Sequence, residues 1–193
     1  MTLTLFGGSQ TRASMPRWYL EEKGIEYELI DVSIGKGQHL QPEFLKINPF
    51  GKLPVLKDDQ ICDQLDQPTI LFESGAILLH LAEHYGGEAT NANERSLISQ
   101  WTHFANSTLA FAIFVPEQKT KILPRLLEEL EQQLSEGFLV GKQWGAADCA
   151  VTAYLAYIKL FFPNENLDCY PTIHNLIKTT NERKAYKIAM GFK

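Results

Sequence analysis

Glu43-Phe44-Leu45-Lys46-Ile47-Asn48-Pro49-Phe50-Gly51-Lys52-Leu53-Pro54-Val55-Leu56, followed by Glu73-Ser74 at the head of a helical pattern, decides how the N-terminal half folds. Proline has no N–H, and the residue before it is pushed to an extended conformation. With a cis bond, Leu53 turns its free N–H and C=O outward as a short sheet edge, where an extended peptide can pair by strand addition. With a trans bond, Pro54 merely opens an edge strand. Ser74 can cap its helix, or its hydroxyl and the first free N–H groups can receive a carboxylate. Glu73 either favours the helix dipole or faces the ammonium of the same ligand. Together the two segments can hold a small zwitterionic peptide. Gln38, His39 and Lys52 supply donors for a second carboxylate, or remain solvated loop residues.

Working outward, residues 2–6 alternate as a short strand, and Ser14-Met15-Pro16-Arg17 opens a helix with proline near its first position. Gly24 can stop that helix. Residues 26–32 form a second strand, 42–47 a short helix, 53–57 and 69–72 two further strands, and 74–85 a helix. The crossover helix makes the first two strands parallel. The late pair is a hairpin, so the sheet is mixed. A polar stretch at 58–68 lies between its strands.

Small and polar residues at 86–93 mark a linker. Beyond it the pattern is helical: 94–115 ended by Pro116, a segment carrying Ile122, Leu123, Leu126, Leu127, Leu130 and Leu134, a very apolar segment at 146–162, and an amphipathic one from Pro171 to about Tyr186. The fold class is thus α/β followed by all-α.

The chain has 193 residues, 45% hydrophobic and 21% charged, as expected of a globular protein with a sizeable core. A net charge of −5 leaves no basic footprint for nucleic acid. No apolar run reaches the roughly 18 residues of a membrane span, and the N-terminus lacks a signal-peptide pattern. Cys62, Cys149 and Cys169 form no disulfide framework. A cytoplasmic protein without membrane or nucleic-acid partners is expected.

The segment after the first strand, Gly7-Gly8-Ser9-Gln10-Thr11-Arg12-Ala13-Ser14, is rich in hydroxyls and precedes a helix N-terminus. A hydroxyl hydrogen bond and the helix dipole both stabilise a thiolate placed there. An ordinary thiol is only about 3% ionised at pH 7, and lowering its pKa by about two is worth roughly 2.7 kcal/mol. The alternative is a flexible connection with Ser14 as the cap of its helix.

These segments, in this order, resemble the cytosolic glutathione transferase family over nearly the whole chain. Asn48-Pro49-Phe50-Gly51-Lys52-Leu53-Pro54-Val55-Leu56 is similar to the family's signature with its cis-proline, and Phe72-Glu73-Ser74-Gly75-Ala76-Ile77 to its Glu-Ser-x-Ala-Ile segment. Phe138-Leu139-Val140-Gly141 and Ala146-Ala147-Asp148 resemble its helical half. The resemblance implies a thioredoxin-like glutathione-binding domain at 1–85, a linker at 86–93 and a helical domain at 94–193. It implies that Leu53 and Pro54 bind the cysteinyl backbone of glutathione, Glu73 and Ser74 its γ-glutamyl end, and His39 and Lys52 its glycine end. Glutathione would be a co-substrate, with no prosthetic group and no metal. Phe104, Phe111, Phe114 and Tyr154 are candidates for a hydrophobic electrophile site, and a homodimer is implied.

Two departures stand out. The family places Tyr, Ser or Cys in the first loop. Here Ser9 matches best, and Gln10, Thr11, Arg12 or Ser14 can fill the role. The missing cysteine argues against branches that need a nucleophilic sulfur. Gly145 stands where the family has Ser or Thr, so half of a capping box around Asp148 is missing.

The expected activity is conjugation of glutathione to isothiocyanates, halogenated aromatics or hydroperoxides. The alternative is a non-catalytic binding or assembly module. His80-Leu81-Ala82-Glu83-His84 formally matches an inverted zinc-protease pattern, but no third ligand with its own helix context follows it.

Overall fold

Residues 2–9, 11–62 and 64–192 are described by the computed structural model. The N-terminal half comprises β1 (Leu3–Gly7), α1 (Ser14–Lys23), β2 (Glu28–Asp31), a 3-10 turn (Gln38–Leu40), α2 (Pro42–Leu45), β3 (Val55–Cys62), β4 (Pro68–Phe72) and α3 (Ser74–His84). β1 is buried along its whole length, as a strand covered on both faces must be. The strand order is β2-β1-β3-β4, with β1 parallel to β2, β1 antiparallel to β3 and β3 antiparallel to β4. This is the expected mixed, thioredoxin-like sheet.

The register positions the site. Phe6 pairs with Val55, and Val55 pairs with Phe72. The end of β1, the start of β3 and the end of β4 therefore meet at one end of the sheet. The opening loop, Pro54 and Glu73 converge there.

β3 runs to Cys62, deep into the polar stretch expected to be loop. Asp58 makes this possible. Fully buried, it accepts the N–H groups of Gln60 at 2.8 Å and Ile61 at 3.2 Å, where the β3–β4 register shifts. Its other oxygen lies 2.7 Å from both His80 Nε2 and the Tyr85 hydroxyl. A buried carboxylate with four partners locks α3 onto β3.

The C-terminal half comprises α4 (Ala92–His103), a π-helical stretch (Phe104–Leu109), α5 (Ala110–Phe114), α6 (Pro116–Lys121), α7 (Leu123–Ser135), α8 (Ala146–Phe161), α9 (Pro171–Glu182) and α10 (Lys184–Met190). Asn91 starts α4 by accepting the Glu94 N–H at 3.0 Å, two residues before the expected start. The single helix expected at 94–115 contains the π-helical stretch, and Pro116 opens α6 besides ending the helix before it. The expected last segment divides at Arg183, which is extended.

α8 runs buried from Ala146 to Ile158 through the middle of the helical half. Gly145 has no side chain with which to cap it. Asp148 still accepts the Gly145 N–H at 3.1 Å and the Leu139 N–H at 3.0 Å. Another free N–H of the first turn is met by Glu88, which accepts that of Ala146 at 2.9 Å. A Cβ on Gly145 would lie 2.3 Å from the Glu88 carboxylate, so glycine is what admits it. Glu88 also accepts the Tyr19 hydroxyl at 2.7 Å and pairs with Lys23 at 2.9 Å. One carboxylate thereby joins α1 of the sheet-bearing half to α8. Trp18 reinforces this seam, its ring 5.1 Å from Trp144 and 5.0 Å from Tyr186.

Candidate functional site

Asn48 shapes the loop before β3. It is fully buried, donates to the Lys52 carbonyl at 2.9 Å and accepts the Phe50 N–H at 3.2 Å. The chain then enters the Leu53–Pro54 bond, which is cis. Across from it, Glu73 holds φ 73° and ψ 117°, a conformation unfavourable for a residue with a side chain. Such backbone strain clusters at binding and catalytic sites. Ser74 follows, buried, in the first turn of α3, where N–H groups have no partner within the helix.

A cavity of about 380 Å³ opens between these segments, lined by Lys52, Leu53, Pro54, Glu73 and Ser74, with Arg12, Phe50 and Phe72 at its sides. A carboxylate, helix N–H groups, two cations and a main-chain edge thus face one space. His39 does not line it. Its turn packs on the adjacent loop, so that a Cβ on Gly51 would lie 3.0 Å from its carbonyl, and its Nδ1 is buried without a partner among the described residues. Gln38 accepts the Ser33 N–H at 2.7 Å.

A second cavity, about 120 Å³, adjoins the first. Thr11, Arg12 and Ser14 form one wall, and Phe114, Tyr154, Tyr157, Leu160, Phe161 and Met190 form the rest. Arg12 lines both cavities. Its guanidinium carbon lies 5.9 Å from the Tyr154 ring centre. Ser14 donates to the Thr11 carbonyl at 2.8 Å, so Tyr157 is the donor in the 2.8 Å contact between their hydroxyls. That bond ties the opening loop to α8. Burial pushes the Tyr157 hydroxyl up to about 12.

The first-loop candidates fall in different places. Ser9 lines neither cavity, and a Cβ on Gly191 would lie 2.6 Å from its Oγ. Gln10 lies outside the described residues. Thr11 donates to the Gly8 carbonyl at 2.8 Å and accepts the Ala13 N–H at 3.1 Å, so its hydroxyl shapes the turn. Arg12 is the candidate that reaches both spaces.

Of the aromatic candidates, Phe114 and Tyr154 line the smaller cavity. Phe111 is exposed and lines no described cavity, and Phe104 lines a separate groove with Trp101 and Ile122. In the zinc-like motif, His80 is committed to Asp58, and Glu83 accepts Arg95 Nε at 3.1 Å.

Sequence reasoning missed Asn106. The π-helical stretch carries it to α3, where its Nδ2 donates to Ser74 Oγ at 3.1 Å. Gly75 permits the approach, because a Cβ there would lie 2.7 Å from that nitrogen. A π-helical insertion at a functional site is a recurrent feature, but it has no sequence signal comparable to a cap. Tyr157 was also missed, since its spacing reads as core.

Residues 1–83 match the model of the glutathione S-transferase N-terminal domain, and residues 107–188 that of the glutathione S-transferase C-terminal domain. Disulfide-bond oxidoreductase YfcG of Escherichia coli strain K12 is 32% identical over 188 residues, covering 86% of this chain and 84% of that protein. Glutathione S-transferase F10 of Arabidopsis thaliana is 29% identical over 183 residues, covering 82% and 81%. Among solved structures, a Pseudomonas putida glutathione transferase with one glutathione disulfide bound per subunit has a TM-score of 0.81 at 24% identity, covering 98% of this chain and 90% of that one. A Burkholderia graminis glutathione transferase with two glutathione molecules bound per subunit has a TM-score of 0.76 at 26% identity, covering 98% and 87%.

Proposed function

Because the chain belongs to the glutathione S-transferase family, we propose that it binds glutathione in the larger cavity and activates its thiol beside Arg12 for conjugation to small hydrophobic electrophiles. The observation that carries this reading is the meeting of a polar and an apolar cavity at one guanidinium. Glu73 faces the γ-glutamyl ammonium, while Ser74 and the first turn of α3 donate to its carboxylate. Leu53 pairs with the cysteinyl main chain, and Lys52 serves the glycine end. The sulfur then emerges beside Arg12, whose positive charge favours the thiolate. Isothiocyanates, halogenated aromatics and hydroperoxides are the substrate classes suited to the apolar cavity. Retention on immobilised glutathione followed by turnover of a halogenated nitroarene tests the proposal. Retention without turnover of any electrophile would leave a non-catalytic binding module.

A second reading, reduction of glutathione-linked disulfides, is favoured by the name of the Escherichia coli relative. It runs against the expectation drawn from the missing first-loop cysteine. The small apolar cavity suits an uncharged electrophile better than a second charged tripeptide. Loss of a disulfide substrate, assayed beside the nitroarene, separates the two.

The boundaries 1–85, 86–93 and 94–193 and a cytoplasmic homodimer complete the proposal. Phe50, 65% exposed, packs on exposed Phe72 at 5.3 Å and gives a partner subunit apolar surface to cover. Sedimentation velocity at micromolar concentration tests the dimer.

A further inference from the structure

Ser74 stands in the wall of the larger cavity, at the first position of α3. Among the described residues no side chain caps that helix, so its leading N–H groups have no partner of that kind. The Ser74 hydroxyl is instead held from outside α3. Asn106 Nδ2 donates to its Oγ at 3.1 Å, and Asn106 Oδ1 lies 3.3 Å from the same oxygen. Asn106 belongs to the helical half, 32 residues further along the chain, and lines neither cavity.

Both backbones accommodate this contact. Asn106 rides on the π-helical stretch Phe104–Leu109, a form with poorer hydrogen bonding than an α-helix. On the other side stands Gly75, where a Cβ would lie 2.7 Å from Asn106 Nδ2 and 3.4 Å from Thr102 Cβ. A side-chain amide also suits a hydroxyl that must serve a ligand, because it offers a donor and an acceptor together. In the shorter contact the hydroxyl accepts from Nδ2, and its own proton is left for another partner. With no ligand bound, that proton can turn to Oδ1.

Resting on the transferase reading, we propose that Asn106 is a positioning residue for glutathione, holding the Ser74 hydroxyl so that its proton meets the γ-glutamyl carboxylate. The amide donates to the Ser74 oxygen, and the Ser74 proton goes to the carboxylate. Hydrogen bonds in such a chain polarise one another, so the donation from Asn106 strengthens the bond that Ser74 gives. A hydroxyl already held in place also loses less freedom when the ligand arrives. Asn106 touches neither the sulfur nor the electrophile. Its effect is on affinity, and the acidity of the bound thiol is left to Arg12. The helical half thereby takes part in recognising a ligand seated in the sheet-bearing half.

The test is calorimetric titration of glutathione into the unaltered protein, Asn106→Ala, Asn106→Asp, Ser74→Ala and the double variant Ser74→Ala/Asn106→Ala. Asn106→Ala should weaken the Kd by roughly 3- to 10-fold, the worth of one hydrogen bond. Asn106→Asp keeps the shape of the amide but can only accept, so it claims the Ser74 proton; its Kd should weaken by roughly 10-fold or more. Should Asn106→Ala fail to fold, this isosteric variant carries the test. The double variant should match Ser74→Ala within about twofold, because without the hydroxyl Asn106 has nothing to position. The pKa of the bound thiol, followed by thiolate absorbance, should not move in Asn106→Ala. An unchanged Kd in Asn106→Ala, tight binding by Asn106→Asp, fully additive losses in the double variant or a shifted thiol pKa would each overturn the proposal. If Ser74→Ala binds as tightly as the unaltered protein, the carboxylate does not lie on Ser74 and the role of Asn106 falls while the transferase reading stands. If the unaltered protein does not bind glutathione, the transferase reading itself falls.

Discussion

The polar and apolar cavities share Arg12 but are built in different ways. The polar one comes from two short stretches, 50–54 and 72–74, together with Arg12, and much of its chemistry is main chain or helix terminus. The apolar one gathers side chains from positions as distant as Thr11, Phe114, Tyr154 and Met190. Local sequence fixes the first, because sheet register brings β3 and β4 together at Val55 and Phe72. Only tertiary packing fixes the second. On the proposed function, ligand recognition and substrate choice should therefore be separable by mutation.

The largest expected effect is on the polar side. Glu73→Ala should weaken glutathione binding by roughly 10²-fold or more, since an ammonium loses its charged partner. Calorimetric titration checks this, and an unchanged Kd would remove the γ-glutamyl end from Glu73. Arg12→Ala should act where the cavities meet. Turnover should fall by roughly 10- to 100-fold and the bound thiol's pKa should rise, with a smaller change in Kd. A loss confined to Kd would make Arg12 a binding group only.

Two substitutions test what holds the walls in place. Glu88→Ala strands the Ala146 N–H, the Tyr19 hydroxyl and Lys23 together. It should cost about 2–4 kcal/mol in denaturant unfolding; a loss below about 0.5 kcal/mol would mean that α8 needs no linker cap. Asp58 ties β3, which follows Pro54, to α3, which follows Glu73. Burial raises its pKa, but the hydrogen bonds from His80, Tyr85, Gln60 and Ile61 outweigh that and hold the carboxyl below its ordinary range. A depressed carboxyl contributes stability above its unfolded pKa of about 4 and loses it as pH falls through the folded value. Asp58→Asn should therefore flatten the acid limb of the stability–pH curve below about pH 4. The smallest effect belongs to Ser9→Ala. With its hydroxyl against Gly191 and outside both cavities, the variant should keep thiol pKa and kcat within about twofold. A larger rise in thiol pKa would return the activating role to Ser9.

The same contrast explains what the sequence made legible. Pro54, Glu73 and Ser74 announce themselves because proline, helix entrances and strand alternation are local signals. The mixed sheet followed from strand order and the crossover rule. The first loop was ambiguous because four consecutive polar residues from Ser9 to Arg12 can each present a donor, and only backbone geometry decides which one faces the ligand. Phe104 and Phe111 share the composition of Phe114 but not its direction, and the π-helical stretch beginning at Phe104 shifts the helical phase between them. Glu88 as the cap of α8 was invisible for a different reason. A glycine at a cap position reads as loss, whereas here it makes room for the carboxylate that accepts the N–H of Ala146, 58 residues from it in sequence.

The most direct test is a crystal structure with glutathione soaked in. The γ-glutamyl end should lie on Glu73 and Ser74, the cysteinyl main chain along Leu53, and the sulfur beside the Arg12 guanidinium, pointing at the apolar cavity. A tripeptide seated elsewhere, or a sulfur turned away from Arg12, would contradict the account.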